Sequence, residues 1–504
     1  MLSKIFSAAL SGIEAVPITI ETDLGRGIPA FNIVGQADTS VKEARERIRS
    51  ALVNSGMKYP AGRITVNLSP AGLRKTGSHL DLAMAVGILR ASGQIFDRDL
   101  EHFCFIGELS LDGTVQRCPG VLPMVMAAQK AGFSAAAVPR ANEKEASLVR
   151  GIGICGVDNL EDIIDHFNLR KPLRIHTGEG ISEESGSCNT MDFSEVKGQE
   201  AAKRALIVAA AGGHGIFLMG SPSTGKTMLA ERIPTIMPSM TDDEILETTV
   251  IYSIAGLLDR DMPYITQRPF RQPHHKITAA AFLGGGTVPI PGEITLANNG
   301  VLFLDEAGEF NRSLIDALRT PLETKRITIS RRGKTYHFPA DFMLVAASNP
   351  CRCGYFRDPF HPCTCSAREI ERYQNKLSGP VMERIDMHLQ LHPVEFGELT
   401  GAVPMTSGEM KQQIEYARQI QYQRYRGTGI QLNHQLSGNL LDIFCSLDQE
   451  AEKLMEEAYL RLRLNPRTMN RVRRVARTIA DLSGSDRVLW THLSEALSYR
   501  ERKL

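Results

Sequence analysis

The sequence predicts a multidomain α/β protein that ends in an all-helical region. Three observations carry this expectation. Strand-like and helix-like segments alternate from about Ile18 to His166. A second alternating block runs from about Asp192 to Val394 and holds a glycine-rich loop between a strand and a helix. From Gly408 to Leu504, helical periodicity continues with almost no β-branched runs. The length of 504 residues suits three to four such units, since roughly 100–200 residues make one domain with its own core.

In the first block, Val16–Thr22, Arg63–Leu68, Cys104–Leu109 and Ala135–Val138 read as strands. Thr39–Ser55, Leu80–Ser92 and Pro123–Ala131 carry the apolar spacing of helices. The stretch from Lys171 to Met191 is rich in Gly, Ser and Glu, poor in large apolar residues, and reads as an exposed linker. The expected divisions are 1–170, 171–191, 192–395 and 396–504. No internal repeat interrupts them.

Composition removes several classes of function. With 42% hydrophobic and 23% charged residues the chain is neither disordered nor fibrous. The balance of 58 basic to 57 acidic residues gives a net charge of +1, so any binding of a polyanion must rely on local charge. One Trp and 6% aromatics argue against a stacking platform for single strands. No run approaches the roughly 18 apolar residues of a membrane span; the longest, Ala205 to Ala211, stops at Gly212, Gly213 and His214. Lys4 precedes only a short apolar run, and Glu14 soon follows, so no signal peptide is read. Nine cysteines, an odd number without a secretory signal, point to a reducing cytoplasm.

The strongest chemical signal is Gly220, Ser221, Pro222, Ser223, Thr224, Gly225, Lys226 and Thr227, which matches G-x-x-x-x-G-K-[ST]. It follows the apolar run Ile216–Met219 and precedes the helical segment Met228–Ile233. In that setting the backbone N–H groups cradle phosphates, Lys226 reaches the β/γ oxygens, and Thr227 ligates Mg²⁺. Downstream, Val301–Leu304 reads as a buried parallel strand that delivers Asp305 and Glu306 at its C-terminal end. Asp305 is expected to hold Mg²⁺, and Glu306 to orient and deprotonate the attacking water. A third strand, Phe342–Ala347, ends in Ser348 and Asn349, and the Asn349 amide can position that water or sense the γ-phosphate. Arg384, flanked by apolar residues in GPVMERID, suits a finger for a neighbouring subunit's nucleotide, which implies a ring.

Three further clusters are singled out. Arg326–Phe338 reads as a β-hairpin whose turn carries Arg331, Arg332 and Lys334 around Gly333, a basic tip able to grip a phosphate backbone. Arginines 461, 463, 467, 471, 473, 474 and 477 have no acid between them. They are expected to encircle a helix from about Thr468, serving as a DNA patch or packing at a subunit interface or nucleotide. Cys351, Cys353, Cys363 and Cys365 supply four thiols that suit tetrahedral Zn²⁺, with His361 as a substitute ligand. The alternative is a loop of reduced cysteines whose role is packing.

With these residues placed, nearly the whole chain resembles the magnesium-chelatase-like AAA+ ATPases of the YifB/ComM family. The specific stretches are Arg268–His275 (RPFRQPHH), Pro291–Glu306 (PGEITLANNGVLFLDE), Asn349–Tyr355 (NPCRCGY), and Leu377–Pro380 leading into Arg384-Ile385-Asp386. Two departures are visible. The phosphate loop lacks the family's Gly-Pro-Pro-Gly start, and Ala307-Gly308 replaces Leu-Pro after the acidic pair. The resemblance implies ATP and Mg²⁺ as ligands, Arg384 as the trans finger, and Arg467 in Asn465-Pro-Arg-Thr as a lid arginine reaching nucleotide in cis. It also implies a ring, hexameric in such ATPases, with the Arg331 hairpin facing its pore. Gly107–Gly113 and Ala127–Gly132 make the N-terminal block similar to the Lon protease catalytic fold. There His79 falls at the nucleophile position, with Ser78 one place early, and Leu122 falls where the lysine should stand, so no proteolysis is expected. The function implied is an ATP-driven motor acting on single-stranded or branched DNA, as a helicase or in branch migration during recombination or natural transformation. A chelatase-type motor remodelling a protein partner and a nucleotide-gated scaffold are the alternatives.

Overall fold

The computed structural model describes residues 2–96, 99–178, 191–259, 261–286, 289–331, 333–376, 379–394, 396–399 and 404–500. Arg332, Leu377, Ser378 and positions 179–190 of the expected linker lie outside them.

The N-terminal region is built on one eight-stranded mixed sheet. Its order across the sheet is His176–Thr177, Gly153–Val157, Ala135–Pro139, Phe103–Phe105, Leu2–Ser11, Glu14–Gly25, Arg63–Ser69, Ala30–Val34. The antiparallel pair Leu2–Ser11 and Glu14–Gly25 forms its middle. Alternation along these strands sorts side chains to two faces. Ile5, Ile18, Ile20, Val66 and Leu68 meet the helices Thr39–Asn54 and Asp81–Ala91 on one face. Ala8, Cys104, Ala136 and Ile154 meet the helix Val121–Lys130 on the other.

Two expectations change here. Cys104–Leu109 is not one strand. Phe103–Phe105 stays in the main sheet, while Glu108–Leu109 turns away to pair with Val115–Gln116. Gly107 allows the turn, because a Cβ there would stand 2.7 Å from Val115 Cγ1. Second, the start of the expected linker adds a strand, with His176 opposite Ile154 and Thr177 opposite Gly153.

The second region holds a five-stranded, all-parallel sheet in the order Phe270–Arg271, Val301–Leu304, Met343–Ser348, Ile216–Met219, Met387–Gln390. Its three inner strands are short apolar runs buried on both faces, as central parallel strands require, while the two edge strands are only partly buried. The C-terminal helices hold one small cluster of their own (Tyr425, Leu436, Leu441 and Cys445) but pack most of their apolar residues into the core of the sheet region. Met410, Ile414 and Ala417 of Ser407–Tyr425, and Val472 and Val475 of Pro466–Leu482, share one cluster with Leu206 and Ile216 of the sheet region. The sheet region also reaches into the N-terminal one. The helix Asp242–Ile254 contributes Val250 and Ile254 to the cluster around Val121 and Val125, and Gly120 N donates to Ser253 O at 2.9 Å. No described helix is long and apolar enough to cross a membrane.

Candidate active site

Three strands end at one edge of the parallel sheet, where α/β proteins bind ligands. Ile216–Met219 runs into the phosphate loop, Val301–Leu304 into Asp305-Glu306, and Met343–Ser348 into Asn349. The loop is preshaped. Gly220 has no room for a side chain, since a Cβ would lie 2.8 Å from Thr224 Oγ1 and 3.0 Å from Leu391. Thr224 Oγ1 donates to Ser221 O at 2.9 Å, and Gly225, at φ 86°, opens the helix Lys226–Glu231. Ser223, at φ 63°, holds a left-handed conformation uncommon for a non-glycine residue, as does Glu306 at φ 50°; such strain clusters at functional sites.

Within this frame Lys226 Nζ donates to Gly220 O and Ser221 O at 2.8 Å each and to Asn349 Oδ1 at 3.1 Å. Burial lowers its pKa, while Asp305 and Glu306 oppose the shift. Thr227 Oγ1 donates to Asp305 Oδ2 at 2.9 Å. Asp305 Oδ1 in turn accepts from the Glu306 backbone N–H at 2.9 Å. The Glu306 carboxylate is more than half exposed and faces His275, with Nδ1 at 3.7 Å. The structure thus joins Lys226, Thr227, Asp305, Glu306 and Asn349 in one cluster. His275 was not singled out as a functional residue, although it lies inside the RPFRQPHH stretch.

Arg384 and Arg467 stand elsewhere. Ile216 is in register with Met387 and Met219 with Gln390, so the phosphate loop leaves the C-terminal edge of the sheet. Arg384 lies three residues before Met387, at the opposite edge. There Arg384 Nε donates to Glu323 Oε1 at 2.9 Å. Arg467, on the helix Pro466–Leu482, pairs with the adjacent Glu383 at 3.3 Å. Both arginines line one cleft of about 520 Å³. In the single chain Arg467, expected to reach nucleotide in cis, sits with Arg384 and pairs with Glu383.

The arginine run also resolves into ion pairs. Arg474 meets Asp386 at 3.0 Å, and His214 Nδ1 lies 2.7 Å from the same carboxylate. Burial opposes ionisation of Asp386, but Arg474 and His214 outweigh it and hold the carboxyl well below the usual range. Arg477 is fully buried against Asp481 at 2.8 Å. Arg473 meets Asp442 at 2.8 Å, and Arg471 donates to Ile385 O at 2.7 Å. The partners missing between these arginines in sequence come from other elements (Asp386, Asp442 and the Ile385 carbonyl) or from the end of the same helix (Asp481), so residues 471, 473, 474 and 477 are not a free DNA patch.

The hairpin forms as expected, Arg326–Arg331 against Lys334–Pro339, with Arg331 opposite Lys334 and Gly333 at φ 75° in the turn. Arg331 and Lys334 are exposed, and Lys334 Nζ also approaches Gly72 O of the N-terminal region at 3.4 Å. Tyr336 packs beside Gly12, where a Cβ would stand 3.1 Å from its ring.

The four thiols of Cys351, Cys353, Cys363 and Cys365 lie within 4.8 Å of one another. His361 is turned aside, its Nδ1 3.3 Å from Asp358 Oδ1. In the N-terminal region His79 is buried, burial lowers its pKa to about 4, and Leu122 is wholly within the core. Ser78 Oγ donates to Glu108.

A parallel sheet of this strand order, a phosphate loop, an acidic pair and a helical cap in the same core define a magnesium-chelatase-like AAA+ protein. Residues 192–399 match the family model described as magnesium chelatase, subunit ChlI. Residues 20–142 match subunit ChlI of Mg-chelatase, and 404–500 match the C-terminal model of subunit ChlI. The chain belongs to the family of the ComM and YifB proteins. It is 41% identical over 506 residues to competence protein ComM of Haemophilus influenzae, covering 99% of this chain and 97% of that protein. To the uncharacterized protein YifB of Escherichia coli it is 40% identical over 502 residues, again covering 99% and 97%. A partial likeness, 29% over 178 residues, links 33% of the chain to 31% of Lon protease 2 of Bacillus subtilis.

Proposed function

We propose that this chain is an ATP-hydrolysing ring motor that acts on DNA in the cytoplasm, as a helicase or in branch migration during recombination or natural transformation. The observation that carries it is the convergence of Lys226, Thr227, Asp305, Glu306 and Asn349 at one sheet edge. Mg²⁺ with ATP fits this donor set, since Thr227 and Asp305 already share a hydrogen bond and Lys226 lies among oxygen acceptors. When bound, the ion neutralises charge on the β- and γ-phosphates. The chain's own groups do the rest. Loop amides hold the phosphates, Lys226 exchanges its carbonyl partners for phosphate oxygens, Asn349 orients, and Glu306 takes the proton of the attacking water.

Arg384 and Arg467 lie at the edge opposite the phosphate loop, which supports their action on a neighbour's nucleotide and hence a closed ring, read as a hexamer. The basic hairpin tip supports contact with a phosphate backbone through Arg331 and Lys334, with Arg332 beside them in sequence. The name of the ComM relative, a competence protein, favours DNA over a metal-inserting partner. The N-terminal region is read as Lon-like and non-proteolytic, because a buried histidine and a core leucine occupy the positions of a serine–lysine dyad.

The test is the ATPase rate of the full chain with and without forked, four-way and single-stranded DNA, beside Lys226→Ala. Stimulation by one of these DNAs, absent in Lys226→Ala, is expected. Hydrolysis that no DNA accelerates, with no DNA bound at low salt, overturns the motor reading.

A further inference from the structure

We propose that Cys351, Cys353, Cys363 and Cys365 bind one structural Zn²⁺ ion that pins the loop 351–365 over the phosphate loop, so that nucleotide affinity depends on the metal. The metal site stands on its own geometry; the coupling rests on reading residues 220–227 as a nucleotide site.

The sulfur positions carry the first half. Sγ separations are 3.3 Å for Cys351–Cys353, 3.5 Å for Cys353–Cys363 and 3.8 Å for Cys351–Cys363. Four thiolates at a Zn–S distance of about 2.3 Å stand ~3.8 Å apart along the edges of the tetrahedron. All four lie within 4.8 Å, in a region whose cysteines are unpaired by disulfides. Local structure explains how they meet despite C-x-C spacing. Gly354, at φ 89°, turns the chain back after the first pair. Asp358 closes the far end by accepting from the backbone N–H groups of Phe360 and His361 at 2.9 Å each. His361, engaged by Asp358 and packed at a tilt against Tyr355 with ring centroids 4.8 Å apart, is not needed as a ligand.

The second half is what the loop touches. A Cβ on Gly354 would lie 2.7 Å from both Cγ and Cδ of Pro222, so the turn that follows Cys353 rests directly on the phosphate loop. Ser221 lies close enough to Asp358 to be the largest influence lowering its pKa, to about 2. Ser221 is also the residue that departs from the family's Gly-Pro-Pro start, and a proline there would bring no hydroxyl to Asp358. On the N-terminal side, only Pro350 separates Cys351 from Asn349, the partner of Lys226. Releasing the thiols frees both ends of the loop and removes the surface against which Ser221 and Pro222 are set.

The test uses the full chain, purified from zinc-sufficient cells without chelator. Elemental analysis is expected to find about one zinc per chain in wild type and in Lys226→Ala, and almost none in Cys363→Ser/Cys365→Ser. Stripping zinc from wild type with a chelator is expected to weaken binding of a fluorescent ATP analogue by about tenfold, the worth of one charged hydrogen bond. Adding Zn²⁺ restores it. This reversible arm stands even if the double variant does not fold. Wild type that carries no zinc and takes up neither Zn²⁺ nor Co²⁺ overturns the metal site. Stoichiometric zinc whose removal leaves nucleotide affinity unchanged overturns the coupling. Stoichiometric zinc in a chain that binds no nucleotide overturns the phosphate-loop reading and leaves the metal site standing.

Discussion

Mixing two inactive variants tests whether Arg384 acts between subunits. Lys226→Ala removes the phosphate-binding ammonium but leaves Arg384 intact; Arg384→Ala does the reverse. The parallel register of Ile216–Met219 with Met387–Gln390 puts these two residues at opposite edges of the sheet, and a four-residue strand alone spans roughly 13 Å. Arg384 therefore cannot serve the phosphate loop of its own chain. A trans arginine is worth a thousandfold or more in kcat, ~4 kcal/mol of barrier, so each variant alone should be silent in a phosphate-release assay. In an equimolar mixture that reassembles at random, an active interface needs an intact loop from an Arg384→Ala chain and an intact arginine from a Lys226→Ala neighbour. Each condition is met half the time, which gives about a quarter of wild-type activity for independent interfaces in a head-to-tail ring. Were the arginine to act in cis, every chain would carry one lesion and the mixture would stay silent. That result, with subunit exchange verified by labelled chains, would refute the argument from strand register.

Other perturbations read other parts of the molecule. Glu306→Gln should keep nucleotide binding yet lower hydrolysis by about a hundredfold or more, as loss of a general base does; equal loss of binding would contradict the role given to Glu306. Arg331→Glu should abolish stimulation by DNA and leave basal hydrolysis intact, and unchanged stimulation would remove the hairpin from the DNA path. Arg474→Ala leaves Asp386 buried without its guanidinium partner, and only the His214 ring still within hydrogen-bond reach among the ion pairs described. Breaking a buried pair costs about 3 kcal/mol, so calorimetry should show Tm lowered by several degrees. Burial holds His79 and His388 at about 4, against an ordinary value near 6.5. Below about pH 6.5 the unfolded chain takes up protons that these two sites refuse. Stability should therefore fall as pH drops from 6.5 towards 4, and replacing either histidine by an uncharged residue should flatten that slope.

Local pattern carried the nucleotide site because its parts sit at strand ends, and a strand end is written in a few consecutive residues. Gly220–Thr227, Asp305-Glu306 and Asn349 each follow an apolar run, and the structure brings them into contact. The Arg331 hairpin was legible for the same reason. Long-range pairing was not. The arginines of Pro466–Leu482 look unopposed because Asp386, Asp442 and Glu383 lie 31 to 88 positions from the arginines they pair with. The pairing of Arg467 with Glu383 carries no local signal, because a helix holds no record of which sheet edge it will cover. Cys104–Leu109 was taken as one strand because Gly107 shows its steric demand only once Val115 stands against it. Asp358 carries no local signal beside the cysteines, since Ser221 approaches it from another loop.

The helix Asp242–Ile254 belongs by sequence to the ATPase core, yet Val250 and Ile254 help close the hydrophobic cluster around Val121 and Val125. A cut in the segment 179–190 would thus split a shared interior, baring apolar surface on both halves. The two regions cannot be traded between relatives as interchangeable cassettes unless the contacts at 121–125 and 250–254 travel together. Under the proposed motor function, a shift of that helix would act directly on the interior of the N-terminal sheet through these shared side chains.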